Sequence, residues 1–391
     1  MKINESLNEI MNEVPAPEGI IRWDVLRKSA FGEIFSAMEK TEQEKEYHGE
    51  GNVFNHTKLV TEAMIRLPIY RESSDRDRGV LFLSALLHDI GKIRCTKFES
   101  GRLTSPNHSS VGARMARSFM FEVLEMSGNE NLCSQREAIC NLIRYHSFPP
   151  FAIKSSNPEF KILKIAANGS LTEDFSIRKL CALETADAIG RIAATTDDYL
   201  ERTEYCRILA EELGVCDKPY EFRTPFSERS YFLGKIGWHG AELYKNTDFE
   251  VILMSGLPGT GKDTWITENL ESLPMVSLDA IREKYKISPL GPQGEVASIA
   301  TEEAREYLRK KQSFVWNATN ISSDTRGKLI SLFENYGASV RTVFLETGWK
   351  EGLIRNAGRE KEVPIPAIKR MLDKLQLPER YESEYVEWHC I

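Results

Sequence analysis

Residues 249–264 read FEVILMSGLPGTGKDT. An apolar run from Val251 to Met254 breaks at Gly256, and sequence suited to a helix resumes after Gly261, so the order is strand, loop, helix. The loop Gly256-Leu257-Pro258-Gly259-Thr260-Gly261-Lys262 matches G-x-x-x-x-G-K in the context that gives this pattern its physical meaning. Its glycines let backbone N–H groups approach the β- and γ-phosphates of a nucleotide, and the helix N-terminus adds a favourable dipole. Lys262 is placed to bridge the β- and γ-oxygens. The expected ligand is ATP or another NTP, carried with Mg²⁺.

One position departs from the usual pattern. Asp263 stands where a Ser or Thr ordinarily meets Mg²⁺, and Thr264 follows it. A carboxylate beside a triphosphate is repulsive unless a cation lies between them. The segment SFVWNATN reads as a further buried strand, with Asn317 and Ala318 where kinases bearing this loop often carry a metal-directed aspartate. Two readings stay open. Either Asp263 supplies the displaced carboxylate to Mg²⁺, or it caps the helix and leaves Thr264 as the phosphate ligand.

Outward from the loop, VRTVFLET gives another buried strand, with helical sequence between the strands, so residues 246–391 read as an α/β unit with a parallel sheet. Residues 217–245 are rich in Pro, Gly and aromatics, which suits a packed connector. Upstream, from Phe54 to Cys206, apolar residues recur at helical spacing in HTKLVTEAMIRL, GVLFLSALLHDIGK, HSSVGARMARSFMFEVL and IRKLCALETADAIGRI. The expectation is two domains: all-α over residues 1–245, with a core at about 50–210, then α/β over 246–391.

The all-α half carries a second chemical signal. Four of the seven histidines, His56, His88, His108 and His146, fall within 91 residues, and Asp89 follows His88 directly. Asp187 lies farther on, in LETADAIGR. Imidazole and carboxylate are the donors that borderline transition metals prefer, and such ions neutralise phosphate charge and acidify a bound water. A single histidine on a helix is usually a surface or core residue, but a His-Asp pair after an apolar helix would be costly to bury without a metal.

Composition bounds the partners. A net charge of −7, spread over both halves, excludes a protein that coats nucleic acid indiscriminately and leaves only local contacts through a few arginines. No apolar stretch is long enough to span a bilayer, and the polar, acidic MKINESLNEI has no signal-peptide core. The seven cysteines are scattered, without a C-x-x-C pair, which points to buried free thiols in a reducing cytosol.

Taken together, N-H-T at 55–57, H-D-I-G-K at 88–92, N-H-S-S-V-G-A at 107–113, Y-H-S at 145–147 and T-A-D at 185–187 resemble the HD-domain superfamily. That resemblance implies that His56, His88, Asp89 and Asp187 hold one metal, and that His108 and His146 complete a second site sharing Asp89. The ions would be divalent transition metals such as Mn²⁺, Co²⁺, Ni²⁺, Fe²⁺ or Zn²⁺. Lys92 is either a phosphate contact or a solvated lysine at a helix end. Downstream of the phosphate loop, VSLDAIRE, NATNISSDTR and LIRNAGREKEVPIPAIKRMLDKL resemble the phage-type polynucleotide 5′-kinases. This second resemblance makes Asp279 the general base for a 5′-hydroxyl and Arg282 the holder of the neighbouring phosphate. It brings in Asn317, Thr319 and Arg326 beside the nucleotide. It also makes 353–375 a helical lid, in which a helix would set Arg355 and Arg359, four residues apart, on one face.

The order of the two modules is similar to bacterial HD-Pnk end-healing enzymes. It implies a 5′-kinase joined to a hydrolase of 2′,3′-cyclic, 2′- or 3′-phosphates, acting on RNA or DNA ends and handing them to a ligase. Two other classes compete: a small-metabolite kinase fused to a nucleotide phosphohydrolase, and a kinase regulated by a non-catalytic HD sensor.

Overall fold

The structure, a computed structural model, describes residues 5–169, 172–194, 196–288, 291 and 293–391. Two compact units emerge, one of residues 1–126 with 131–220, the other of 127–130 with 221–391. The division at Tyr220 lies earlier than the sequence boundary at 245, because the connector packs into the second unit. Its helix Pro225–Phe232 buries Arg229, whose guanidinium donates to both oxygens of Glu334 at 2.7 and 2.9 Å. Phe232 packs against Tyr381 in a tilted pair with ring centroids 4.6 Å apart.

Among its described residues the first unit is mainly helical, with one antiparallel hairpin of β1 (Lys97–Glu99) and β2 (Arg102–Thr104). The hairpin was not anticipated; its strands are three residues long and largely exposed, so they carry no apolar pattern. Three capped helices matter most. Asp75–Leu87 starts where Ser74 Oγ accepts from Asp77 N at 3.2 Å, with Asp75 and Asp77 favourably placed in the first turn. Every residue from Gly79 to Leu87 is buried, so this helix runs through the middle of the unit and delivers His88 at its end. Val53–Met64, capped by Asn52, carries His56. Ile177–Gly190, capped by Ser176, carries Asp187.

A buried ionic group braces the wall behind them. Glu137 accepts from Arg117 and from Arg136, and Arg136 also donates to Met126 O at 2.6 Å. Burial opposes the Glu137 charge, but the two guanidiniums overcome it and hold the carboxyl down at about 2.

The second unit contains a five-stranded parallel sheet: β3 (Glu250–Ser255), β4 (Met275–Ser277), β5 (Phe314–Asn317), β6 (Ser339–Glu346) and β7 (Tyr385–Cys390), in the order β4-β5-β3-β6-β7. β3 is central and buried on both faces, which is why it reads as a continuous apolar run. Val251 and Leu253 face a cluster with Val296, Leu308, Phe314 and Phe333. Ile252 and Met254 face another with Ile266, Val315, Val343 and Leu345. β7 escaped notice because YVEWHC alternates polar and apolar residues at a half-exposed edge. Among the described residues no helix is long and apolar enough to cross a membrane. Five of the seven cysteines are buried, and none is joined in a disulfide.

The Glu137 cluster predicts a particular acid response. A carboxyl held low in the fold stabilises it above the ordinary carboxylate pKa, and that contribution fades as pH falls from about 4.5 toward 2. Glu137→Gln leaves two buried guanidiniums poorly paired and should cost about 3–5 kcal/mol. Urea melts of the variant and the parent at pH 7 and pH 3 should therefore differ widely at pH 7 and less at pH 3.

Candidate functional site

In the first unit two close helix contacts build the site. A Cβ at Gly190 would lie 2.6 Å from Val60 N, so only glycine lets the Asp187 helix approach the His56 helix this closely. Gly91 does the same on the other side, where a Cβ would stand 2.0 Å from His108 O. These approaches bring His56 Nε2 within 2.8 Å of Asp187 Oδ1 and His108 Nε2 within 3.4 Å of Asp89 Oδ1.

Asp89 lies between two donor groups. Its Oδ2 is 3.4 Å from His88 Nε2 and 3.6 Å from His56 Nε2; its Oδ1 is 3.4 Å from His108 Nε2 and 3.9 Å from His146 Nε2. The donors fall into two sets suited to ions, His56 with His88 and Asp187, and Asp89 with His108 and His146. The tautomers fit this use. Nδ1 of His88, His108 and His146 each lies 2.7–2.9 Å from a backbone carbonyl, and His56 Nδ1 is 2.8 Å from Glu50 Oε1. The carbonyls fix the proton of His88, His108 and His146 on Nδ1 and turn their Nε2 lone pairs inward.

Several inward atoms, among them His56 Nε2, His88 Nε2, Asp89 Oδ1 and Asp187 Oδ1, are buried without a hydrogen-bond partner. His108 Nε2 and His146 Nε2 face each other at 3.4 Å. Burial lowers both imidazoles, His146 to about 3, so at neutral pH no proton separates these lone pairs. Orphaned donors and opposed lone pairs are what a pair of divalent cations would resolve. Burial would also lower His56, yet Asp187 and Glu50 raise it. Positive charge is favoured at that imidazole.

The surrounding charges keep the aspartates ionised. Burial opposes the Asp89 charge, but Lys92 and His88 hold it well below the usual range; Arg191 and His56 do the same for Asp187. Glu184, one turn before Asp187, shows the reverse. Burial and Asp187 push its carboxyl well above the usual range, leaving Glu184 neutral. Lys92 is not a solvated helix-end residue. It is 7% exposed and reaches Asp89 Oδ2 at 2.7 Å and Gln43 Oε1 at 2.6 Å. Gln43, His48, Glu50 and Arg191 were missed in the sequence. The signal for two of them was present as H-x-E at 48–50, shortly before the N-H-T segment.

In the second unit the phosphate loop joins β3 to the helix Lys262–Leu270. Gly259 takes φ 81°, and a Cβ there would lie 2.4 Å from Gly352 O. Lys262 folds over the loop and donates to Gly256 O at 3.0 Å and Leu257 O at 2.8 Å; burial lowers its pKa to about 8 despite the opposing pull of Asp263. The helix N-cap is Gly261, so Asp263 is not the cap. Its Oδ1 instead accepts from Asn317 Nδ2 at 2.6 Å, which ties the loop acid to the end of β5. Thr264 is exposed on the first turn.

Asp279 lies in the first turn of the helix Leu278–Lys284, capped by Ser277. Arg282 Nη1 contacts its Oδ1 at 2.6 Å and Arg359 Nη2 its Oδ2 at 3.4 Å, so an arginine from the sequence-expected lid reaches the expected base. Two expectations need correction. Arg355 and Arg359 do not share a helix face, because Trp349–Ala357 ends at Gly358 and Asn356 clamps the following turn through both backbone groups of Val363. Arg355 stays beside the loop, paired with Glu351 at 2.7 Å, near enough that a Cβ at Gly261 would lie 3.4 Å from its Nη1. Arg326 is not a nucleotide contact. Fully buried, it donates to both oxygens of Glu382 and to the carbonyls of Asn320 and Gln376. It braces the segment behind the loop, where Thr319 O accepts from Gly256 N at 2.9 Å.

Family models match a segment in each half of the chain. Residues 53–179 match the HD domain family, and residues 251–378 match a AAA domain family. A helical HD domain precedes a P-loop kinase-like domain. HD domains bind divalent metals, and the inward His and Asp donors here are suited to that. Asp187 lies beyond the matched segment, yet the fold brings it to the same cluster.

The Asp263–Asn317 contact sharpens one test. If Asp263 anchors Mg²⁺, Asp263→Ala should shift the Mg²⁺ dependence of nucleotide binding to higher concentration, with partial recovery at high Mg²⁺ or Mn²⁺. Calorimetric ATP titrations across a Mg²⁺ series, run beside thermal melts, check this. An unshifted titration in a variant with a lowered Tm would make Asp263 structural.

Proposed function

We propose that this chain heals broken nucleic-acid ends, phosphorylating a 5′-hydroxyl through its C-terminal unit and removing 2′,3′-cyclic, 2′- or 3′-phosphates through its HD domain. The observation that carries the reading is the pairing, on one chain, of a donor cluster for two ions around Asp89 with a phosphate loop whose expected base, Asp279, is gripped by Arg282 and Arg359.

In the kinase, Lys262 and the loop amides hold the β- and γ-oxygens of the NTP. The substrate's 5′-oxygen attacks the γ-phosphorus, its proton passes to Asp279, and the bond to the nucleoside diphosphate breaks. Arg282 holds the phosphate beside the acceptor, while Arg355 and Arg359 offset charge on the transferring group. In the hydrolase, His56, His88, Asp187, Asp89, His108 and His146 would hold two divalent ions, which when bound neutralise phosphate charge and acidify a water. Lys92 faces the phosphate oxygens, and water replaces a ribose oxygen on phosphorus, its proton passing to the released oxygen; a 2′,3′-cyclic phosphate needs this step twice, a 2′- or 3′-phosphate once. Ends carrying a 5′-phosphate and free 2′,3′-hydroxyls are then ready for a ligase. This suits a cytoplasmic enzyme whose partners are RNA or DNA ends.

The two sites use separate residues, so their activities should separate. Lys262→Ala should abolish 5′-phosphorylation and spare phosphate removal, while Asp89→Ala should do the reverse. Oligonucleotides with each kind of end, offered with ATP, Mg²⁺ and Mn²⁺, Co²⁺ or Ni²⁺, check this by product mass. Transfer to small metabolites but not to oligonucleotides would refute the end-healing assignment. Asp279→Asn should slow transfer by about 10²–10⁴ with ATP affinity unchanged, the range for losing a general base.

A further inference from the structure

The four metal-facing histidines do not receive the same outer support. Three lean on backbone carbonyls of their own helix or turn. His56 alone leans on a side chain, Glu50, and that carboxylate is already in use elsewhere. Its Oε1 is 2.8 Å from both His56 Nδ1 and His48 Nδ1, and its Oε2 accepts from Ile192 N at 3.1 Å. The Glu50 side chain is 2% exposed.

Because Glu50 takes the proton of His48 Nδ1, His48 turns the lone pair of its Nε2 the other way. That atom lies 3.4 Å from Lys92 Nζ. Lys92 Nζ thus sits between Asp89 Oδ2 at 2.7 Å, Gln43 Oε1 at 2.6 Å and, more distantly, His48 Nε2. Six side chains close an arc, Asp187–His56–Glu50–His48–Lys92–Asp89, that begins and ends on carboxylates of the donor cluster.

We propose that Glu50 and His48 are positioning residues of the HD site: Glu50 sets the His56 tautomer for metal binding, and its contact with His48 aims the Lys92 ammonium at the substrate phosphate. The part concerning Lys92 rests on the hydrolase reading above; the part concerning His56 rests on the donor geometry alone. His48, Glu50 and His56 also lie close enough together to hold an ion of their own. Two features favour a relay. Glu50 Oε1 lies 2.8 Å from the Nδ1 of both imidazoles, and His56 Nε2 lies 2.8 Å from Asp187 Oδ1, in the other donor set. The relay thus predicts two ions for each HD domain, not three.

The experiment uses the full chain, first stripped of metal and then titrated with Mn²⁺ by calorimetry. Two ions per chain are expected at the HD domain, and Glu50→Gln should weaken their binding about 10–100-fold, the effect of losing a residue that orients a metal ligand. His48→Leu should leave stoichiometry and affinity unchanged. It should instead lower the rate of 3′-end phosphate removal about tenfold, and that loss should vanish in a Lys92→Ala background, since the two residues act through one contact. Three bound ions, or the loss of one whole ion in His48→Leu, would overturn the relay in favour of a third metal site. Unchanged affinity in a folded Glu50→Gln variant, or additive losses for His48→Leu and Lys92→Ala, would also overturn it. If the parent hydrolyses no phosphoester, the end-healing reading fails while the Mn²⁺ titrations still judge Glu50.

Discussion

A single carboxylate, that of Asp89, bears the main electrostatic constraint on the first unit. It is 1% exposed and faces imidazoles on both sides. An unpaired charge at that depth would destabilise the fold severely, so everything near it is arranged to be cationic or to become so. Lys92 answers it from one side and Arg191 answers its neighbour Asp187 from the other. Three long apolar helices exist in large part to hold these groups at fixed separation.

The second unit solves the opposite problem, holding a site for anionic phosphates within an acidic chain. It gathers cations locally: Lys262 on the loop, Arg355 beside it, and Arg282 with Arg359 around Asp279. Each is partnered by a carboxylate or a carbonyl, so none stands as an isolated charge. The net charge of −7 and the concentration of cations at one mouth are compatible because recognition is local.

Much of this was legible in the sequence, for reasons of chemistry. The phosphate loop declares itself because glycines, lysine and a preceding buried strand have few other reasons to occur together. His88 and Asp89 declare themselves because adjacent His and Asp after an apolar helix are costly without a ligand; the other four donors entered through the resemblance to HD domains. What was hidden depends on three-dimensional neighbours. Glu50 and His48 look like ordinary polar loop residues until the helix bearing His56 is folded against them. Arg326 looked like a substrate arginine because its partner, Glu382, is distant in sequence. The one-face argument for Arg355 and Arg359 failed on a local stop, Gly358, which carries more weight than spacing.

The Arg326 brace carries a consequence for how the chain is made. Its partners are Asn320, Gln376 and Glu382, and the sheet edge is closed by residues 385–390. On the ribosome, the phosphate loop emerges more than a hundred residues before the carboxylate that steadies the segment behind it. The first unit is complete by residue 220, apart from any dependence on its neighbour. Synthesis therefore imposes an order: the histidine cluster can mature while the kinase half is still an open chain, and the nucleotide-binding loop acquires its rigid backing only as the last strand arrives.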